Sequence, residues 1–273
     1  MGLFELFGMG AANADTPDAR APKLARPEAF FQGPALDLLR AALADDEAGA
    51  RRAVAQGANP NAQGPAATSK SVPQLTLIHY AAGVRNPRAM AILLAAGADP
   101  LFKPRDDDGD AFLFAVVRHD AQMLDALLQL YPLARIPPKR QSQLAFYCLS
   151  FNARNCLQIL FDHGLPLDVR DSAGYSLFMR ALNQEDLDTA EWLLAEKQVP
   201  VQDVMSSGGG FTVTPANMVQ RALTEVFKPG SPPYRRYEKF KRIMEQRGIV
   251  FPVESAAEWR ARMKAQAASG PAK

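Results

Sequence analysis

Histidine and cysteine are scarce in this chain, and their scarcity limits the chemistry it can do. Three histidines and two cysteines serve 273 residues. His79, His119 and His163 stand far apart in sequence. Cys148 and Cys156 have neither a CxxC nor a CxxxH context, so a zinc site is not expected. No nucleophile, base and orienting group can be picked out together, and the expectation is a protein that is not an enzyme and carries no cofactor. An excess of charge of one sign is also missing. Lys and Arg total 31 against 29 Asp and Glu, a formal net charge of +2, which is too small for the basic footprint of nucleic-acid binding. No apolar run reaches the ~18 residues of a membrane span, so stable membrane insertion is not expected. A hydrophobic share of 48% still supplies a substantial core.

Two stretches suggest a ligand and fail the test. A calcium loop built on Asp106-Asp107-Asp108-Gly109-Asp110, with Gly109 as its sixth residue, would need acids at Pro104 and Ala115. Ser206-Ser207-Gly208-Gly209-Gly210 has the glycines of a phosphate loop, but no Gly-Lys-Ser/Thr follows. The basic stretch from Tyr234-Arg235-Arg236 to Arg247 fits a solvated helix face better than a nucleic-acid surface.

The stretch from Leu75 to Leu101, LTLIHYAAGVRNPRAMAILLAAGADPL, holds two helical runs joined by a polar turn at Arg85-Asn86-Pro87. Ala81 and Ala82 allow a neighbouring helix to approach closely. Gly97 follows the second run, where a helix commonly ends in a left-handed residue. The stretch resembles an ankyrin repeat, whose pattern is T-P-L-H-x-A-A, a turn, a leucine-rich helix and G-A-D, with Leu77 in place of the proline. Further units start at 36, 111, 143, 176 and 214, giving spacings of 40, 35, 32, 33 and 38 around the start at 76. The resemblance implies an all-α ankyrin-repeat solenoid of about six helix-turn-helix repeats, with finger loops and atypical capping ends. The expected domains are a flexible segment over 1–27, the repeats over 28–255, and a short helix or disordered tail over 256–273.

Several residues have structural duties in such units. His79 stands at the T-P-L-H position, where the imidazole normally bonds backbone near the turn. His163 precedes the helix-ending Gly164 and is placed to meet terminal carbonyls. Phe30 and Phe31 are suited to closing the edge of the first unit. Trp192 falls in a leucine block and should pack in the core. Cys148 and Cys156 fall on the two helices of one unit and read as reduced core thiols, with a disulfide between neighbouring helices as the alternative.

Ankyrin arrays bind other proteins through finger tips and the outer ends of first helices. Carried onto this chain, those places are Asp107, Asp108, Asp110, Arg118 and His119 in the third unit, and Lys139, Arg140 and Phe151 in the fourth. Tyr175 and Gln184 follow in the fifth, with Phe211 and Arg221 in the sixth. Crowded carboxylates at Asp107, Asp108 and Asp110 suggest a basic patch on the partner.

The two ends, PEAFFQGPALDLLRAALADDEAGARRAVAQGANPNA and EKFKRIMEQRGIVFPVESAAEWRAR, are similar to those of bacterial ankyrin proteins encoded beside type VI secretion effectors. That group binds and blocks cognate toxins, often lipases. The implied function is immunity against a secreted toxin, with a general ankyrin adaptor as the alternative. MGLFELFGMG, interrupted by Glu5 and without a preceding basic residue, does not read as a secretion signal. The expected compartment is the cytoplasm, with periplasmic export as the alternative.

Overall fold

The computed structural model describes residues 26–64, 74–103, 109–202, 205–206 and 211–268. It falls into two compact units, Met1–Gly164 and Leu165–Lys273. Thirteen α-helices occur among the described residues, and the first twelve follow one another as six pairs.

The first unit holds four pairs: α1 (Gly33–Leu43) with α2 (Glu47–Ala55), α3 (Leu77–Gly83) with α4 (Pro87–Ala95), α5 (Ala111–Val117) with α6 (Ala121–Leu130), and α7 (Pro138–Ser150) with α8 (Arg154–Asp162). Local chemistry starts these helices. Thr76 and Asp110 cap α3 and α5, each side chain accepting a bond from the backbone N–H three residues on. Asp46, Asn86 and Asp120 do the same for the second helices α2, α4 and α6. Each turn between paired helices contains a left-handed residue just before the next helix: Asp45, Arg85, His119 and Asn152, with φ between 53° and 59°. His119 therefore has a backbone duty that sequence spacing alone does not show. Second helices end at left-handed Gly57, Gly97 and Gly164. The third pair has no such glycine. Tyr131 leaves α6 in an extended conformation, and a 3-10 turn at Leu133–Arg135 follows.

Between the helices lie Leu38, Leu39, Leu77, Ala81, Ala82, Leu93, Phe112, Leu124, Leu127, Leu144, Leu157 and Leu160, all inaccessible to solvent. Each large apolar side chain buried in this way contributes about 1.5–3 kcal/mol. Phe31 is buried too, and both Phe30 and Phe31 set their rings on Tyr80 of α3, with centroids 5.8 and 6.3 Å away. They thereby pack on the second pair. His163 is also corrected: its Nε2 meets Asp125 Oδ1 at 2.7 Å rather than terminal carbonyls. The fourth pair begins five residues before the expected start at 143, because Pro137 and Pro138 launch α7.

The second unit holds α9 (Leu177–Asn183) with α10 (Leu187–Ala195), α11 (Pro215–Arg221) with α12 (Pro232–Gln246), and α13 (Ala256–Ala268). A short antiparallel ladder, β1 (Met205–Ser206) and β2 (Thr212–Val213), joins α10 to α11. Phe240 of α12 lies edge-on to Phe178 of α9, with 5.8 Å between centroids. Trp192 is buried, as its place in the leucine block implies. The basic face of α12 is partly solvated, with Arg235, Lys239 and Arg242 exposed, and partly spent on internal contacts. Arg236 reaches Asp188 and Glu191 of α10, and Arg247 donates to the backbone carbonyls of Val199 and Leu194.

Candidate interaction surface

The first helix of each pair carries the residues on which the functional expectation rests. Asp107 and Asp108 lie outside the described residues. Asp110 is 1% exposed. One of its carboxylate oxygens accepts from Leu113 N at 2.9 Å, which caps α5, and the other accepts from Arg140 Nε at 2.7 Å. Arg140 is itself 9% exposed. The expectation that Asp110 and Arg140 face a partner therefore gives way to a buried ion pair between the third and fourth pairs of helices. A cap and a cation engage both carboxylate oxygens, and burial keeps them from an outside ligand.

Beside that pair lies an aromatic surface. The Arg140 guanidinium is 5.8 Å from the centre of the Tyr147 ring, and Tyr147 stacks on Phe151 at 6.2 Å with a 27° interplanar angle. Tyr147 is 37% exposed and Phe151 half-buried. On α5 the Arg118 guanidinium lies 5.3 Å from the Phe114 ring centre, and that ring stands edge-on to His79 at 5.5 Å. His119 is exposed in its left-handed turn, and partial burial of the imidazole lowers its pKa. Lys139 is exposed at the start of α7. Neither α5 nor α7 has an acidic residue in its span. Sequence reasoning named Phe151 but missed Tyr147. The signal was its position four residues earlier on the same helix, which puts both rings on one face.

The second-unit candidates do not form one surface. Tyr175 is half-buried under the Arg180 guanidinium, 4.6 Å from its ring centre. Arg180 is held in turn by Asp171, whose other oxygen accepts from Ala173 N and Tyr175 N at 2.9 Å. Gln184 is exposed at the end of α9, and exposed Arg221 pairs with Glu225 one turn on. Phe211 packs edge-on against Trp259 of α13 at 5.9 Å, an internal contact that the sequence did not suggest.

Nothing in this arrangement points to catalysis. Among the described residues no cluster of His, Cys, Asp and Glu is suited to a metal ion. A cleft of about 450 Å³ beside Phe30, Phe31 and Gln63 has Glu28 as its one charged group among the described residues, and Arg40 holds that carboxylate below its usual pKa. Cys148 and Cys156 are free and buried, and burial pushes both thiols up, Cys156 to about 12. Thiols so protonated are poor nucleophiles.

No family model matches the sequence, and no curated protein matches it. Solved structures do match. The ankyrin repeat domain of Bcl-3, described as a unique member of the IkappaB protein family, is 18% identical with a TM-score of 0.53; the match covers 76% of this chain and 85% of that one. The human ASB11 ankyrin repeat domain is 16% identical with a TM-score of 0.44, covering 74% of this chain and 81% of that one. The likeness to Bcl-3 concerns the fold. The chain has the ankyrin-repeat fold, its helices paired as in a solenoid of about six repeats. Domains of this fold are generally protein-binding modules and typically non-catalytic.

Proposed function

We propose that this protein binds another protein through the exposed face of α7 and the turn that follows α5, and that the partner is a secreted bacterial toxin which it neutralises as an immunity protein. The observation that carries the binding reading is the stacked Tyr147–Phe151 pair beside a buried Arg140–Asp110 ion pair. Aromatic side chains held before binding lose little entropy on association and are typical hot-spot anchors. Arg118 and His119 at the end of α5 extend the surface, while Gln184, Tyr175 and Arg221 are secondary contacts in the second unit. The toxin reading is supported by the likeness of the chain's two ends to bacterial ankyrin immunity proteins. Among the described residues no helix is long and apolar enough to cross a membrane. The proposed site of action is the cytoplasm.

Identifying a toxin gene adjacent to this one and co-expressing the two tests the proposal. A stable complex and restored growth are expected. Tyr147→Ala with Phe151→Ala should weaken binding by about 30-fold or more, the scale of a hot spot, without a matching fall in melting temperature. A toxin that is neither bound nor blocked ends the immunity reading. Unchanged affinity in the double variant ends the assignment of the surface.

A further inference from the structure

A contact in the second pair of helices recurs at the end of the chain, where no seventh pair was expected. Thr76 caps α3 and shares a 2.7 Å hydrogen bond with His79 Nδ1, while His79 Nε2 lies 3.1 Å from the Gly109 carbonyl. Gly109 immediately precedes Asp110, the cap of the next first helix, α5. Thr214 caps α11 in the same way, its hydroxyl donating to Asn217 Oδ1 at 2.9 Å. Asn217 Nδ2 then donates to the Glu254 carbonyl at 2.8 Å. Glu254 immediately precedes Ser255, whose Oγ accepts from Glu258 N at 3.2 Å while Ser255 N donates to Glu258 Oε2 at 2.7 Å. That reciprocal pair is a capping box, and it starts α13. The amide of Asn217 thus reproduces both bonds of the His79 imidazole. Gln220, one turn further along α11, secures the same segment by exchanging two bonds with Val253, at 2.7 and 2.8 Å.

We infer that residues 253–268 are the first-helix half of a seventh unit, and that the exposed flank of α13 docks an acidic amphipathic helix of a partner protein. The inference rests on the protein-binding reading but concerns a different face. Residues 260–265 are exposed one after another through more than one turn, and among the described residues no neighbouring helix covers them. Met263 is 40% exposed. It lies between Arg260 and Lys264, which are exposed one turn apart and meet no carboxylate among the described residues. Arg262 is occupied by Glu254, at 2.7 and 2.9 Å. A second copy of this helix would set cations against cations. An acidic helix would not, and the chain already contains such a match: Asp188 and Glu191 of α10 receive Arg236 and Lys239 of α12.

The test uses the full chain, isotope-labelled, and a synthetic peptide with the sequence of residues 186–198, an acidic amphipathic helix. Amide shifts are expected within 256–268. Replacing the peptide's acids at 188, 191 and 196 by lysine should weaken binding about tenfold or more at low salt. Arg260→Glu with Lys264→Glu should abolish the shifts at unchanged melting temperature. Tyr147→Ala with Phe151→Ala should leave peptide binding intact, which separates this surface from the one proposed above. Absence of binding, shifts confined to other helices, or indifference to the charge reversals would overturn the docking surface. Asn217→Ala should lower hydrogen-exchange protection of the first turns of α13 by about tenfold, and Asn217→His should restore it. Unchanged protection in both Asn217→Ala and Gln220→Ala would overturn the seventh unit.

Discussion

Asp110 and Arg140 lie 30 residues apart in sequence and meet at 2.7 Å, both withdrawn from solvent. The pair joins the cap of α5 to the first turn of α7, so one carboxylate both starts a helix and links it to its neighbour. Asp110→Ala should cost about 3–5 kcal/mol, because it strands a buried guanidinium and removes a cap. Asp110→Asn should cost less, since the amide oxygen can still cap α5. Urea unfolding of both variants checks the order. Equal, small losses would mean that the carboxylate faces water.

Neighbouring leucines of α4 should respond unequally. Leu93 is fully buried, whereas Leu94, the next residue on the same helix, is only half-buried. Leu93→Ala should cost about 2–5 kcal/mol and Leu94→Ala well under half of that. Thermal or urea melts of the two variants measure the difference.

Cys148 and Cys156 should label slowly in the native protein. Their thiols are at most 1% exposed, and burial holds both in the protonated form, with Cys156 up to about 12. A thiol reagent at neutral pH should react with both only after denaturation. Rapid native labelling of either would contradict the buried, reduced pair.

The pH dependence of stability should include a contribution from His119. Its folded pKa is depressed below the usual 6.5 by burial. Depression means that the unfolded chain binds the proton more readily. Stability is therefore intact above 6.5 and falls as pH drops through the folded value. An NMR titration should place the His119 midpoint below 6.5, and His119→Gln should flatten the loss over that window. A midpoint at or above 6.5 would contradict the partial desolvation of the ring.

Local rules made much of this protein legible from its sequence. The helix-turn-helix period, the unit starts at 76, 176 and 214 and the stop at Gly97 are set by short-range patterns, so spacing alone reveals them. The tertiary structure decided the contacts between residues brought together only by folding. Asp110 seemed an exposed carboxylate because nothing near it in sequence announces Arg140. Phe211 seemed a free finger aromatic because Trp259 is far along the chain. The seventh half-unit stayed hidden because Asn217 replaces the histidine of the recognisable motif. Only its two hydrogen bonds show that an amide and an imidazole can span the same gap, from a threonine hydroxyl to the carbonyl before the next cap.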